Sequence, residues 1–349
     1  MNNSLPIDTS KPFDIVCIGR CGVDLVPCIG PVEDAHTYNK FVGGSPAITV
    51  SAAAMQGCKT GFISKIGKDI MGRFVVSYLK SIDVDTSYVS IAKDPSACTA
   101  VSIMELKGLG VTDGVMYRSN AADLYLSTAD INEEYISKFK ILLFSGTSLC
   151  HSPSREAVML AVEYAKRNNV CVAFDPDYRS IAWPDAMTAS IYYWLMAQKA
   201  DIIISTRDEF DIIETILGDV PHDDASSAAR LLNKGVSLIC IKHGDEGSMA
   251  FTTSNSYRGC VYPGRLVTSN GAGDCFAGNL LSVLVRGGSV DEALKHAAAS
   301  AALTISGKSC TGHLPSRQQT LDFIRICDSG NDATLHWWDP ENGHISDML

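Results

Sequence analysis

The residues best equipped for chemistry form one run, Thr268-Ser269-Asn270-Gly271-Ala272-Gly273-Asp274, which leads into the apolar stretch Cys275–Val285. Glycines at a helix entrance leave backbone N–H groups uncovered, and the helix dipole adds positive potential there. Such an end can hold an anion. An aspartate at its mouth repels an anion, so Asp274 is better placed as a base. It would take a proton from a hydroxyl while the N–H groups of Gly271, Ala272 and Gly273 stabilise a transferring phosphoryl group. An ordinary glycine turn with Asp274 in the first helical turn is the other reading of these residues. A second pair, Gly43-Gly44, precedes Ser45-Pro46 and a small-residue helix. Bare backbone there suits close approach of a hydroxylated ligand, or equally tight helix–strand packing. Asp24 follows the first strand, where a short carboxylate can accept hydrogen bonds from sugar hydroxyls or simply cap a turn.

These residues need a scaffold, and the hydrophobic pattern supplies one. Phe13–Gly19, Lys59–Ile66, Ile141–Ser145, Val170–Asp175, Ile202–Ser205, Leu238–Lys242 and Ser248–Thr252 read as short strands. Between them, Ser45–Met55, Gly72–Ser81, Ser154–Arg167, Gly273–Val285 and Val290–Ser306 read as helices, with Phe74, Val75, Tyr78 and Leu79 on one face of the second. Apolar strands separated by helices predict an α/β fold, a mostly parallel sheet covered on both faces. Val26–Val42 and Ser96–Leu126 break the alternation and predict a small β-flap over one edge of the sheet. Beyond Arg325 the chain turns polar, so residues 328–349 read as a tail docked, if at all, through Trp337 and Trp338. Trp183 reads as core or flap packing.

Composition narrows the partners. The chain has 349 residues, 39 acidic and 29 basic, for a formal charge of −10, and 46% are hydrophobic. A disordered chain is excluded, because this much apolar surface can offset chain entropy. An acidic surface argues against nucleic-acid binding, which draws on phosphate neutralisation. No stretch approaches the ~18 apolar residues of a membrane span, and the N-terminus has no signal-peptide pattern. The 12 cysteines show no Cys-x-x-Cys pair, and Cys17, Cys171 and Cys240 sit inside apolar runs. Reduced, buried thiols in a cytoplasmic protein are expected. Cys275 adjoins Asp274, so a thiol reagent is expected to block that helix start. The eight histidines show no zinc-ligand spacing.

Taken together, the motifs resemble those of the PfkB-type (ribokinase-like) carbohydrate kinases. Gly43-Gly44 comes early and the GAGD run late. Thr206-Arg207-Asp208-Glu209 follows a central strand, and Lys242-His243-Gly244-Asp245-Glu246-Gly247 follows the next. The likeness covers about residues 13–325, in order. The strings IGRCGVDL, FVGGSPA, MYRSNAADLYL, DPDYRSIAW and IKHGDEGS narrow it to kinases of keto-deoxy sugar acids in myo-inositol breakdown. The resemblance implies a three-layer α/β/α sandwich with a lid, and an ATP- and magnesium-dependent transfer to a terminal hydroxyl. The implied acceptor is 5-dehydro-2-deoxy-D-gluconate, with 2-dehydro-3-deoxygluconate or another sugar as the alternative. It further implies Asp274 as the base and Gly271, Ala272 and Gly273 as the anion hole. Glu209 would order magnesium, and Thr206, Lys242, Gly244 and Gly247 would lie beside the nucleotide. Asp24, Gly43 and Gly44 would meet sugar hydroxyls. Arg118 would face the substrate carboxylate, and Asp175, Asp177 and Arg179 would form a polar cluster near the phosphate path. Activation by a monovalent cation (K⁺) and a homodimer paired through the lid edge are compatible with this scheme.

Several positions depart from the family pattern. Ile48 stands where asparagine is frequent, Thr268 and Ser269 replace an Asp-Thr pair, Thr206 replaces an asparagine, and Asn270 has no obvious counterpart. The base, the anion hole and the acidic position survive, so these departures bear on substrate identity. A catalytically silent sugar- or nucleotide-binding protein is a rival that intact Asp274 and Glu209 argue against. A nicotinamide dehydrogenase would need Gly-x-Gly-x-x-Gly after the first strand, and Ile18-Gly19-Arg20-Cys21-Gly22 does not supply it.

Overall fold

The computed structural model describes residues 5–107, 111–329, 336–339 and 344–347. From the N-terminus the elements run β1 (Phe13–Ile18), β2 (Gly22–Pro27), β3 (Tyr38–Gly43), α1 (Ser45–Met55), β4 (Thr60–Ile66), α2 (Ile70–Ser81) and β5 (Asp85–Ile91). Next come β6 (Ala100–Lys107), β7 (Val111–Tyr117), α3 (Glu133–Ser137), β8 (Phe139–Ser145), α4 (Ser154–Arg167), β9 (Cys171–Asp175), α5 (Ala186–Ala197), β10 (Ile202–Thr206) and α6 (Arg207–Glu214). The chain continues through α7 (Asp224–Leu232), β11 (Leu238–Lys242), β12 (Ser248–Phe251), β13 (Ser256–Gly259), α8 (Ala272–Leu284), α9 (Val290–Thr304) and α10 (Arg317–Asp328).

The core sheet has nine strands in the order β13-β12-β11-β10-β9-β8-β1-β4-β5. All pair in parallel except β12 and β13, which add antiparallel at one edge. Because strand side chains alternate, each buried strand feeds two cores. Ile15 and Cys17 of β1 enter the core shared with α1, α2, α8 and α9, whereas Val16 and Ile18 enter the one shared with α3 to α7. On the second side Phe144 of β8 stacks on Phe174 of β9 at 4.7 Å between ring centres. The predicted α/β sheet covered on both faces is the observed architecture.

Small residues draw α1 and α8 together. A Cβ on Gly278 would lie 2.6 Å from Thr49 O and 2.8 Å from Ala52 Cβ. This close packing sets the start of α1, after Gly44, beside the start of α8, after Gly271. The two glycine turns, more than 200 residues apart in sequence, thereby become neighbours of one site.

A second sheet, in the order β3-β2-β6-β7, is the expected flap. Its limits differ from those read in the sequence. The first lid strand begins at Gly22, not near residue 26, so Asp24 belongs to the lid sheet and not to a loop. Only three residues separate β1 from β2, and β2 pairs in parallel with β6, Gly22 opposite Ala100. A Cβ at position 22 would lie 2.7 Å from Ala100 O, so glycine permits the approach. α10 carries helical structure to Asp328, with Phe323 and Ile324 packed beside α9. Of the expected tail, His336–Asp339 and His344–Asp347 pair as antiparallel strands β14 and β15, and residues 330–335, 340–343 and 348–349 lie outside the described residues. Among the described residues no helix is long and apolar enough to cross a membrane.

Candidate active site

A cleft of about 360 Å³ opens at the C-terminal ends of β9, β10 and β11, beneath Met104 of the lid strand β6. Open α/β sheets bind ligands at this end, where loops leave the strands. Asp175 ends β9 and Asp177 and Arg179 follow it, Thr206 and Glu209 bridge β10 and α6, and Lys242 closes β11. Ser269, Asn270, Gly271, Gly273 and Asp274 form the opposite wall.

That wall is the start of α8. Gly271 is its N-cap, with φ 78° and ψ 0°. A Cβ there would fall 2.2 Å from Cys310 Cβ, so both backbone and space demand glycine. Ala272 N–H donates to Ser269 O and Cys275 N–H to Gly271 O. The N–H groups of Gly273 and Asp274 belong to the first helical turn, which has no intrahelical acceptors, and no other backbone group described takes them. Lys242 approaches from across the cleft: a Cβ on Gly273 would lie 3.2 Å from its Nζ. Burial works against the Lys242 charge, but Asp175, Glu209 and Asp274 outweigh it and hold the ammonium above its ordinary range. An ammonium and two uncovered N–H groups thus converge on one small volume, a charge arrangement complementary to a phosphoryl group.

Asp274 has its ionisation raised to about 6, first by desolvation and then by the negative charge of Asp177, with Ser45, Arg179 and Lys242 pulling the other way. A carboxylate that titrates near neutrality is suited to moving a proton. Asp175 is pushed well above the usual carboxylate range, first by burial and then by the neighbouring Glu209, Asp274 and Asp177, with Lys242 opposing. Asp177, also buried, stays below the usual range because Arg179 and Arg20 face it. Arg179 Nη2 lies 2.7 Å from Asp177 Oδ1, and Arg20 Nη2 lies 3.0 Å from Asp177 Oδ2.

Glu209 does two jobs for the fold. With Thr206 it forms a capping box on α6: Glu209 N–H donates to Thr206 Oγ1, and Thr206 N–H donates to Glu209 Oε2 at 2.9 Å. Its other oxygen accepts Tyr178 N–H at 3.0 Å. These bonds, with Ser205 Oγ also donating to Oε2 at 3.4 Å, pin the carboxylate on the cleft wall and leave Oε1 with spare acceptor capacity. Among the described residues no cluster of three or more His, Cys, Asp or Glu could hold a metal by itself. Glu209 alone fits the way Mg²⁺ is usually bound, through one or two carboxylates plus phosphate oxygens and water. Gly244 and Gly247, both with positive φ, shape the turn between β11 and β12, and neither lines the cleft.

Asp24 is buried on the lid strand β2 and its ionisation is raised by that burial, against Arg20, Asn270, Ser102 and Cys310. Asn270 Nδ2 reaches Asp24 Oδ2 at 3.4 Å, linking the anion-hole loop to the lid. The expectation that Gly43 and Gly44 leave backbone bare for a ligand is revised. A Cβ on Gly43 would lie 2.3 Å from Asp24 Oδ1, and one on Gly44 2.7 Å from Arg20 O. The vacated space holds the protein's own atoms. Ile48, the residue in place of a frequent asparagine, is buried in α1.

Two further residues of the sequence reading lie outside the cleft lining. Arg118 does not line the cleft. Its Nε donates to Asp123 Oδ2 at 3.1 Å, its Nη2 to the same oxygen and to Thr147 O, and its Nη1 to Cys150 Sγ. That buried pair arises because Asp123, five residues on, returns beneath it. Cys275 faces away from the cleft, wholly buried, accepting from Thr304 Oγ1 at 3.0 Å. Burial pushes its thiol up to about 12, so a reagent that needs a thiolate has neither access nor nucleophile. Trp183 packs on Tyr193 at 5.4 Å between ring centres, in the core. Met104 lines the cleft, and Arg20 and Thr147 hold the lining residue Asp177 from behind it; the sequence reading singled out none of the three. For Arg20 the signal lay in the string IGRCGVDL.

The sequence profile of the pfkB family carbohydrate kinases matches residues 13–317. The chain belongs to that family. A 5-dehydro-2-deoxygluconokinase of Geobacillus thermodenitrificans is 42% identical over 326 residues, covering 93% of this chain and 96% of the relative. Its counterpart in Geobacillus kaustophilus is 41% identical over 332 residues, covering 94% and 98%. The solved fructokinase of Xylella fastidiosa with bound ATP superposes with a TM-score of 0.81 at 21% identity, covering 90% of this chain and 99% of the other. As a member of this family the chain is a carbohydrate kinase with the family's fold and lid.

Proposed function

We propose that this kinase transfers the γ-phosphoryl group of ATP to the terminal hydroxyl of 5-dehydro-2-deoxy-D-gluconate, giving its 6-phosphate. The observation that carries the reading is the meeting of Asp274, the free N–H groups of Gly273 and Asp274, and the Lys242 ammonium in one cleft. The relatives that match more than nine-tenths of the chain bear that substrate in their names.

ATP brings the phosphoryl group, and Mg²⁺, when bound, neutralises phosphate charge. The chain's own residues do the rest. Asp274 accepts the hydroxyl proton as the oxygen attacks phosphorus in line. Lys242 and the N–H groups at the start of α8 meet the charge on the transferring oxygens. Glu209, held by Thr206 and Tyr178, would hold the metal and its waters. Asp24 accepts from a sugar hydroxyl beneath the lid, and Arg179 adds positive charge at the cleft mouth. Closure of the lid excludes water that would otherwise hydrolyse ATP.

The test is kinetic. Purified protein with ATP and Mg²⁺ is offered 5-dehydro-2-deoxy-D-gluconate, 2-dehydro-3-deoxy-D-gluconate and neutral hexoses, and ADP release is followed. The highest kcat/KM is expected with the first acid. A higher value with any other acceptor overturns the substrate assignment, and no turnover with any overturns the reaction.

A further inference from the structure

Arg20 lies in the three-residue link between β1 and β2 and is buried, with 7% of its surface exposed. A guanidinium has five N–H donors and no acceptor. Among the described residues Arg20 gives one of them to oxygen, Nη2 to Asp177 Oδ2 at 3.0 Å. Its Nη1 meets the weak acceptor Met116 Sδ at 3.8 Å, and its Nε has no partner. Buried charged donors left in this state are unfavourable unless another acceptor joins them. Asp177 meets both guanidinium groups, Arg179 at one oxygen and Arg20 at the other, so a single oxygen is all that Arg20 receives from it.

The location identifies what is missing. Met116 pairs with Ser102 across β7 and β6, and Ser102 pairs with Asp24 across β6 and β2. Directly paired residues share a face of the sheet, so Met116, Ser102 and Asp24 form one row on the lid. Arg20 reaches one end of that row through Met116 and the cleft wall through Asp177. Asp24, at the other end, is tied by Asn270 to the anion-hole loop. Arg118, by contrast, has every side-chain nitrogen engaged by Asp123, Thr147 or Cys150.

We infer that Arg20, and not Arg118, receives the carboxylate of the acceptor and is the residue that selects an acid over a neutral sugar. This rests on the reading that the acceptor is a sugar acid. A guanidinium edge matches a carboxylate in two parallel bonds, which a lysine cannot reproduce.

The experiment compares kcat/KM for 5-dehydro-2-deoxy-D-gluconate with that for its neutral carboxamide, in wild type and in Arg20→Ala, Arg20→Lys and Arg118→Ala. In wild type the acid is expected to be preferred. Arg20→Ala should cut the acid's kcat/KM about ten- to a hundredfold, mainly through KM, and the amide's by less than about threefold. Arg20→Lys keeps a cation beside Asp177, so it guards against misfolding, and it should recover only part of the preference. Arg118→Ala should lower thermal stability and leave the preference in place. An equal loss for acid and amide in both Arg20 variants, or loss of preference in Arg118→Ala alone, overturns the assignment to Arg20. A wild type that prefers the amide overturns the sugar-acid reading itself, and this inference with it, before any variant is considered.

Discussion

Replacing Asp274 with asparagine should make the protein more stable while removing its activity, and the gain should depend on pH in a way that identifies the base. In the folded protein Asp274 titrates at about 6, above the ordinary 3.8, chiefly because it is desolvated. Folding therefore favours the protonated form. The stabilisation this gives is complete below about pH 4 and is lost as the pH rises through 6. Above pH 7 the wild type carries a desolvated charge that the neutral amide does not. At about 1.4 kcal/mol per pH unit, moving from 3.8 to about 6 is worth roughly 3 kcal/mol, and water in the open cleft trims this to about 2 kcal/mol. Unfolding entropy of about 2 cal/mol/K per residue gives roughly 0.7 kcal/mol/K for 349 residues. The variant should thus melt about 3 °C above wild type at pH 8 and level with it near pH 4. The assay is thermal unfolding of both ligand-free proteins from pH 4 to 8, beside turnover at pH 8, where a loss of at least about a hundredfold is expected. A melting difference that is flat across pH, or that favours wild type at high pH, would refute a raised carboxylate at this position.

Further outcomes follow from the same geometry. The acid limb of kcat/KM in wild type should have its midpoint near pH 6, and Lys242→Met, which removes a cation that stabilises ionised Asp274, should move that limb upward and lower the plateau. A limb that stays in place would separate Lys242 from the base. Gly43→Ala puts a Cβ 2.3 Å from Asp24 Oδ1, so the acceptor KM should rise about tenfold and stability fall by about 1–3 kcal/mol, read by steady-state kinetics and melting. Thr206→Val removes the cap of α6 and one restraint near Glu209. It should cost about 1 kcal/mol and raise the Mg²⁺ concentration for half-maximal rate. A maleimide on the native protein should label Cys98 and Cys260, which are exposed, and leave Cys275 unmodified, as mass spectrometry of the digest would show.

The sheet was legible because β-branched runs such as IVCI and LICIK can be buried on both faces only in a parallel core. The start of α8 was legible because glycine spacing and an aspartate in a first helical turn have few uses. Elements without a strong period were not. α5, AMTASIYYWLMA, is apolar nearly all round and carries no clear stripe, and β5 is an edge strand with little burial. The surroundings of Arg118 were hidden for a different reason. A sequence shows that an arginine is available but not which carboxylate it meets, and Asp123 lies too near in the chain to stand out as its partner. Gly43 and Gly44 stayed open to two readings in the same way, since the atoms that fill their empty space come from Asp24 and Arg20, about twenty residues earlier.

The hairpin of β2 and β3 enters and leaves the core at one point. Its incoming link is Gly19 to Cys21, its outgoing link is Gly44, and a Cβ on Gly44 would touch Arg20 O at 2.7 Å and Cys21 Cα at 3.0 Å. The hairpin is hung like a leaf on one stem, and that stem contains Arg20. On the proposed role of Arg20, its tilt is governed where the acceptor is held and not at a remote hinge. A reporter placed on the outer edge of the lid, at the exposed Tyr117, should register arrival of the sugar acid more strongly than arrival of nucleotide.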